Sequence, residues 1–254
     1  MTDPKPTDAF TWTQEPWGRA LHCTRLAAPH LFTSRDVVLR DDDREWTMVA
    51  RSVGVTKDRL LLVRQVHGVD VAIARRGTVG TWTPPVADII ISDDPSVAIG
   101  VRVADCAPIL LHDPVKHIVG AIHAGWRGAA AGAATRAVRA MQKEFGTHAP
   151  DLVAAIGPCL GRCCGEVGPD VVAAFLAGGA ERALVDAWFT PGTGDRSYLD
   201  LERVNRDQLE RAGLSADSIF AAGLCTKTHR ERLHSYRGDR DSAGRLLGAI
   251  RAED

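Results

Sequence analysis

The chain has 254 residues, of which 45% are hydrophobic and 25% are charged, and these proportions are ordinary for a soluble globular protein. Its 31 Lys and Arg residues nearly balance its 32 Asp and Glu residues, which argues against a protein that coats nucleic acid or an anionic membrane. No apolar run is long enough for a transmembrane helix, and the first residues lack the apolar region of a secretory signal. We therefore expect a cytoplasmic protein with reduced thiols and neither a nucleic-acid nor a membrane partner. The oligomeric state is left open.

The first third of the chain predicts an irregular start followed by short elements. Residues 1–18, which contain Pro4, Pro6 and Pro16, are predicted to form an irregular strap. A short helix is predicted over residues 44–53. Short, branched apolar segments that are separated by Gly, Pro or Asp then predict β-strands at residues 60–65, 69–74, 87–92, 97–103, 108–112 and 117–123.

The rest of the chain adds helices to this set of strands. An Ala-rich segment with helical periodicity predicts one long helix over residues 128–145, which ends at Gly146. Shorter helices are predicted at residues 170–176 and 201–212, and strands at 152–156, 219–221 and 246–250. Because the strands cluster instead of alternating with helices, we predict a layered α+β fold with mixed sheets. No linker divides the chain, so residues 1–254 are predicted to form a single domain.

Three polar segments follow or interrupt apolar strands, at residues 65–68, 104–108 and 123–128. Each offers one metal ligand, and these are His67, Cys106 and His123. Two imidazoles and one thiolate suit Zn²⁺, and three protein ligands leave a fourth position for water or substrate, as in catalytic zinc sites. The alternative is a pair of hydrogen-bonded histidines beside a buried thiol, with no metal.

The segment around His123 also suggests an anion site. A Gly-containing turn leads into the predicted long helix, whose first N–H groups and positive dipole end favour an anion. Arg127 is a bidentate partner for phosphate or carboxylate, and Trp126 could stack on a planar base. Alternatively, the glycines only permit the turn and Trp126 packs against the core. Asp105 could accept the second N–H of a ligand imidazole, act as a base, or cap a turn.

Two further segments carry chemistry-bearing residues. Cysteines crowd into residues 156–168, but their spacing matches no standard iron–sulfur or zinc pattern, so we interpret this segment as a tight structural loop. Arg237 and Arg245, near the end of the chain, could face an anionic substrate, although exposed arginines are often merely solvated.

Together the segments at residues 65–68, 104–108, 123–128, 156–168 and 235–245 resemble the YfiH-type family. That family was once described as multicopper polyphenol oxidase (laccase), is now described as purine nucleoside phosphorylase, and is also called peptidoglycan editing factor. The resemblance covers residues 60–250. It implies a four-layer α/β/β/α sandwich and a zinc ion held by His67, Cys106 and His123, with copper as a metal that the same site could take up in vitro.

The resemblance also implies a function. The expected activities are phosphorolysis of adenosine, inosine, guanosine and methylthioadenosine, and deamination of adenosine. The expected catalytic residues are Cys106, His123 and Asp105. The expected substrate- and phosphate-binding residues are Arg127, Trp126, Gln65, Arg237 and Arg245.

The chain departs from the family pattern at the rim of the expected substrate site. Glu45 and Trp46 stand where an Asn-Arg pair is usual, Gly165 replaces a Tyr, and Gly238 replaces the second of two arginines. The segment after Arg35 also lacks the usual glycines. These changes leave the metal ligands intact and put the choice of substrate in question.

Three other functions are open from the sequence. In a cysteine hydrolase acting on amides of peptidoglycan precursors, Cys106 would be the nucleophile, His123 the base and Asp105 its neighbour. The altered rim could instead leave a zinc-stabilised nucleoside-binding protein that has no turnover. A laccase-like oxidase is disfavoured, because multicopper sites commonly use His-x-His pairs and none of the nine histidines forms one.

Overall fold

The computed structural model describes residues 3–77, 80 and 82–254. Its strands are β1 (Phe10–Glu15), β2 (Gly18–Cys23), β3 (His30–Thr33), β4 (Leu60–Leu61), β5 (Val71–Ala74), β6 (Ile89–Ser92), β7 (Ala98–Val103), β8 (Ala107–Asp113), β9 (Ile118–Ala124), β10 (Val153–Ile156), β11 (Glu166–Val167), β12 (Phe189–Pro191), β13 (Ser197–Leu199), β14 (Ile219–Ala221) and β15 (Leu246–Arg251). Its α-helices are α1 (Asp43–Ser52), α2 (Trp126–Ala130), α3 (Ala133–Phe145), α4 (Pro169–Ala177), α5 (Arg182–Trp188), α6 (Leu201–Arg211) and α7 (Tyr236–Asp239).

Two mixed sheets form the centre of the molecule. The first sheet has the order β1-β2-β3-β15-β7-β4 and the second has the order β14-β10-β8-β9-β6-β5. A small third sheet, β11-β13-β12, lies beside them. Most neighbouring strands are antiparallel, but β4 runs parallel to β7, β5 to β6, and β10 to β14.

Alternating side chains sort the core into layers. On β6, Ile89 and Ile91 face the helices, whereas Ile90 faces the other sheet. On β15, Leu246 packs between the sheets and Leu247 packs against the side that α1 covers. The order of layers is therefore α1, first sheet, second sheet and the remaining large helices. This confirms the predicted α/β/β/α sandwich with mixed sheets.

Most predicted elements are present with small shifts at their ends, but two predictions are wrong. Residues 10–15 are not part of an irregular strap: they form β1, which pairs with β2 from Phe10 opposite Cys23 to Glu15 opposite Gly18. The long helix over residues 128–145 is divided into α2 and α3, because Gly132 has a left-handed backbone with φ of 81°. Gly146 ends α3 as predicted, with φ of 67°.

The sequence did not predict β1, β2, β3, α5, α7 or the small third sheet. The predicted strand at residues 60–65 is reduced to Leu60–Leu61. Among the described residues, no helix is both long and apolar enough to cross a bilayer.

Candidate metal centre

The three predicted ligands converge at one end of the sandwich. Cys106 lies where the chain passes from β7 in the first sheet to β8 in the second, and His123 lies near the end of β9. His67 comes from the loop between β4 and β5. The ligand atoms of these residues all lie within 4.8 Å of one another. The centres of the two imidazole rings are 4.8 Å apart, and the planes of the rings make an angle of 71°.

The donor set fits a zinc ion with an open coordination position. His123 is buried, Cys106 is half-buried and His67 is exposed, so the free side of the group faces solvent. Gly125 leaves room for this group: a Cβ atom there would lie only 2.6 Å from the Cys106 sulfur and 3.2 Å from Cδ2 of His67. Nitrogen and thiolate donors at this spacing suit zinc and also suit copper.

Asp88 organises two of the three ligands, and the sequence reasoning missed it. Its side chain is fully buried, and Oδ1 accepts hydrogen bonds from Nδ1 of His123 at 2.7 Å and from the N–H of His67 at 2.9 Å. Oδ2 accepts from the N–H groups of Val66 and Gly68. Because Nδ1 donates to Asp88, Nε2 of His123 is left free to bind an ion.

One signal in the sequence could have identified Asp88. It is a lone acid between Ala87 and three consecutive isoleucines, in a segment that otherwise predicts a fully buried strand. A buried carboxylate needs hydrogen-bond donors or a cation beside it, so such an acid indicates a polar site.

Electrostatics at the site favour charged side chains. Burial opposes ionisation of Asp88, but hydrogen bonds from His123 and from the Gly68 and Val66 N–H groups lower its pKa to about 2. Burial also opposes ionisation of Cys106 and His123. Contacts with the imidazoles of His123 and His67 nevertheless lower the pKa of Cys106 to about 7, and contacts with Asp88 and Cys106 raise the pKa of His123 to about 9. Without an ion, the thiolate and imidazolium forms therefore stabilise each other.

Asp105 does not accept the imidazole N–H, which was one of three roles that the sequence left open for it. Its Oδ1 accepts from the hydroxyls of Thr226 at 2.6 Å and Ser235 at 2.7 Å, and its Oδ2 accepts from the N–H of Arg237 at 2.5 Å. These bonds hold Asp105 in a left-handed backbone with φ of 87°, directly before the ligand Cys106. These bonds join the loop that carries Cys106 to Thr226 and to the segment at the start of α7.

The predicted anion seat at the start of a long helix is also altered. The helix that follows His123 is α2, which spans only Trp126–Ala130. The guanidinium of Arg127 lies 4.2 Å from the centre of the Trp126 ring, so these two residues stack on each other. Trp126 and Arg127 are the first two residues after Gly125, beside which the Cys106 and His67 side chains lie.

The other predicted binding residues have partners in the fold. The amide of Gln65 bonds to both the N–H and the carbonyl of Arg102, which ties its loop to β7 instead of leaving the amide free for substrate. Arg237 donates to the carbonyl of Glu166 at 2.8 Å, and Arg245 donates to two nearby carbonyls. Burial and the charge of Arg245 lower the pKa of Arg102. Within the described part of the chain, the Arg102 guanidinium has no carboxylate partner.

The departures from the family pattern have local structural reasons. Glu45 accepts hydrogen bonds from the N–H groups of Val38 and Leu39, and the Trp46 indole donates to a carbonyl at 2.9 Å. A Cβ atom on Gly165 would lie 2.7 Å from the carbonyl oxygen of Leu199, so a tyrosine does not fit there.

Gly238 is likewise enclosed. A Cβ atom at this position would lie 2.3 Å from Cδ of Arg230. An arginine at position 238 would require the Arg230 side chain to move.

Sequence and structure comparisons agree with these observations. Residues 40–253 match the family described as multi-copper polyphenol oxidoreductase laccase. The chain is 33% identical over 250 residues to a purine nucleoside phosphorylase of Deinococcus radiodurans, covering 91% of each chain, and 37% identical over 182 residues to one of Xylella fastidiosa, covering 71% of this chain and 67% of that one.

Solved structures share the fold. YlmD from Geobacillus stearothermophilus superposes with a TM-score of 0.83 at 27% identity, covering 96% of this chain and 99% of that chain. YfiH from Bacillus licheniformis gives a TM-score of 0.81 at 24% identity, covering 88% and 92% of the two chains. The extent of these matches shows that the chain belongs to the YfiH-type, laccase-like family.

Proposed function

We propose that the chain is a zinc-dependent purine nucleoside phosphorylase that also deaminates adenosine and cleaves methylthioadenosine. The observation that carries this proposal is the group of His67, Cys106 and His123, which offers three ligands and one solvent-facing side. Relatives that carry the name purine nucleoside phosphorylase support the same activity class.

Zinc is the metal in this proposal because two imidazoles and one thiolate match its catalytic sites. A bound zinc ion supplies Lewis acidity at the open side of the group. The protein's part is to hold the ligands: Asp88 fixes the His123 ring and the His67 backbone, and Asp105 fixes the loop that carries Cys106.

Phosphorolysis forms a bond between a phosphate oxygen and ribose C1′, breaks the bond from C1′ to the purine nitrogen, and returns a proton to the leaving base. We assign the phosphate to three arginines. Arg127 follows the ligand-contacting Gly125, and Arg102 and Arg245 are close enough for one charge to lower the pKa of the other. Arg102 and Arg245 are half-buried and Arg127 is exposed. Guanidinium groups that lack a carboxylate partner favour an anion.

The purine is assigned to Trp126, whose indole could stack on the base after Arg127 moves off it. Deamination differs from phosphorolysis in that water attacks C6 of the purine and ammonia leaves. Both reactions would use one nucleoside position beside the metal ligands.

The test is to incubate zinc-loaded protein with adenosine and phosphate and to separate the products by chromatography. We expect adenine with ribose 1-phosphate, together with inosine from deamination. Cys106→Ser should lose both zinc and turnover, whereas Cys23→Ala, which changes a thiol of β2 outside the ligand group, should keep both. Nucleoside binding without any product from several purine nucleosides would refute the proposal and favour a non-catalytic binding protein.

A second candidate is a cysteine hydrolase that acts on amides of peptidoglycan precursors. The observation that favours it is the chain of contacts from Cys106 to His123 and from His123 to Asp88, with Asp88 replacing Asp105 as the residue that orients the base. This candidate requires a free thiolate. Alkylation of Cys106 that stoichiometric zinc fails to suppress, together with release of an amine from such an amide, would support it over the phosphorylase.

A further inference from the structure

A second group of thiols lies outside the centre described above. The sulfur atoms of Cys163, Cys164 and Cys225 all lie within 4.8 Å of one another, and those of Cys163 and Cys164 are 3.8 Å apart. We call these three residues the thiol cluster. The sequence interpretation of residues 156–168 as a purely structural loop did not include Cys225, which lies far along the chain.

The backbone holds the thiol cluster together without an ion. The N–H of Cys159 donates to the carbonyl of Leu224, and the N–H of Thr226 donates to the carbonyl of Cys159, so the two segments run side by side. A turn closed by the hydrogen bond from the Cys164 N–H to the Gly161 carbonyl brings Cys163 and Cys164 close to Cys225.

We propose that the thiol cluster is a second metal site, which binds one thiophilic ion through Cys163, Cys164 and Cys225. Thiolate ligands select monovalent copper and zinc among the common biological metals. Sulfur atoms bound to one ion at about 2.3 Å lie about 3.8–4.0 Å apart in tetrahedral or trigonal geometry. The separation of 3.8 Å between Cys163 and Cys164 meets this requirement.

A disulfide is a poorer description of the same residues. All six cysteines are free in the structure, and a disulfide would bring two sulfur atoms to about 2.05 Å. A shared ion needs no such movement of the adjacent Cys163 and Cys164.

Hydrogen-bond donors surround the Cys225 sulfur, burial raises the pKa of the Cys163 thiol, and an open cavity gives an ion access to the cluster. The hydroxyl of Thr228 and the N–H groups of Thr228 and Gly161 hydrogen-bond to the Cys225 sulfur, and such donors stabilise a thiolate, which is the form that binds metals. Cys163 and Cys225 also line an open cavity of about 560 Å³, whose wall includes the carboxylates of Asp200 and Glu202. A cation can therefore reach the sulfur atoms from solvent through a cavity whose wall carries these two acidic residues and one basic residue, Arg162.

Three thiolates satisfy monovalent copper as a three-coordinate ion, whereas zinc would take a water molecule as its fourth ligand. The Thr228 hydroxyl, 3.5 Å from Cys163 and 3.6 Å from Cys164, can hydrogen-bond to either sulfur in both cases. The shared chemistry is a sulfur-only protein ligand set, and it distinguishes this site from the centre that contains histidines.

The experiment uses reduced, metal-stripped full-length protein under anaerobic conditions, with monovalent copper in one arm and zinc in the other, each buffered by a competing chelator. The bound ions are counted by native mass spectrometry. Cys106→Ser removes the histidine-containing centre, and we expect it to retain one ion in at least one arm. The double variant Cys163→Ser/Cys164→Ser should bind one ion fewer than wild type, whereas Cys23→Ser should match wild type.

X-ray absorption on metal-loaded Cys106→Ser supplies a readout that does not depend on the folding of the cluster variant. We expect three sulfur ligands at about 2.3 Å and no imidazole contribution. The proposal is overturned if Cys106→Ser takes up no ion in either arm, or if its ion has nitrogen ligands from histidine. Neither result depends on nucleoside turnover, so this proposal and the proposed function can fail separately.

Discussion

Asp88→Asn tests whether one buried carboxylate prepares the metal centre. The wild-type carboxylate accepts four hydrogen bonds, two at each oxygen, from His123, His67, Val66 and Gly68. Asparagine has the same size but only one acceptor oxygen, so two of these four donors lose their partner and face an amide NH₂ instead.

The size of the effect follows from these contacts. Each buried donor that loses its partner costs about 1–3 kcal/mol, so we expect the free energy of unfolding of the metal-free protein to fall by about 2–6 kcal/mol. Loss of the charged partner of a ligand imidazole typically weakens metal binding about 10–100-fold. The zinc dissociation constant should rise by that factor, because Nδ1 of His123 no longer has a carboxylate beside it.

Zinc affinity is measured by competition with a chromophoric chelator well below the melting temperature, and stability by urea unfolding of the metal-free protein. Asp94→Asn is the matched control: Asp94 is also buried and accepts from the N–H groups of Gly77 and Ser96, but it lies outside the ligand group. We expect this control to lose stability and to keep wild-type zinc affinity. A folded Asp88→Asn protein that binds zinc as tightly as wild type would refute the positioning role of Asp88.

Three further predictions test the phosphate site, the pH dependence of folding and the crowding at the centre. Arg102→Gln should raise the KM for phosphate about 10–100-fold with zinc content unchanged, because a charge-assisted hydrogen bond contributes about 1.5–3 kcal/mol. The control is Arg139→Gln on the surface of α3. A KM for Arg102→Gln equal to that of the control would contradict this assignment. Burial lowers the pKa of His30 to about 4, so the folded state resists protonation of this imidazole. The contribution of neutral His30 to the free energy of unfolding is fully present above pH 6.5. It should fall by about 2–3 kcal/mol as the pH drops to 4.5. Urea unfolding at both pH values should show a smaller loss for His30→Gln, and an unchanged loss would contradict this reasoning. Gly125→Ala places a Cβ atom 2.6 Å from the ligand thiol and should abolish stoichiometric zinc binding, whereas Gly120→Ala, which meets its nearest neighbours at 3.4 Å, should bind zinc as wild type does.

The layers of the fold were predictable from the pattern of apolar residues in the strands. In β6, β8 and β15, apolar side chains lie on both faces of the strand. These segments therefore appear in the sequence as continuous apolar runs, which must be covered on two sides. The edge strand β1 was hidden by prolines. Phe10 and Trp12 alternate with Thr11 and Thr13 there, but Pro16 and its neighbours dominate the composition of residues 1–18.

The break between α2 and α3 was missed for a different reason. A run of alanines around Gly132 has high helix propensity, and a single glycine within it costs only about 1 kcal/mol as a helical residue. Packing of two separate helices against the second sheet outweighs that local preference. As a consequence, the turn after His123 leads into the five residues of α2, and not into a long helix with a strong dipole.

The contacts of Asp105 and His123 were not predicted, because residues that are neighbours in the sequence need not be in contact in the fold. Asp105 is next to Cys106 in the chain, yet its carboxylate turns toward Thr226 and Ser235, and the imidazole bonds to Asp88 across the sheet. The same limit applies to Cys225, whose sulfur joins two cysteines of a distant loop.

Two carboxylates, the buried Asp88 and the half-buried Asp105, explain how the candidate centre is organised before an ion arrives. His67 and Asp105 both have left-handed backbones, with φ of 64° and 87°, and such conformations cost about 1–3 kcal/mol each for residues other than glycine. Asp88 accepts the His67 N–H, while the Asp105 side chain accepts three hydrogen bonds, so each strained residue is held by charge-assisted contacts that offset its cost. Because these contacts involve protein atoms alone, removal of the metal should leave the ligand geometry and the fold in place, and the binding free energy of the ion then goes into coordination instead of ordering the chain.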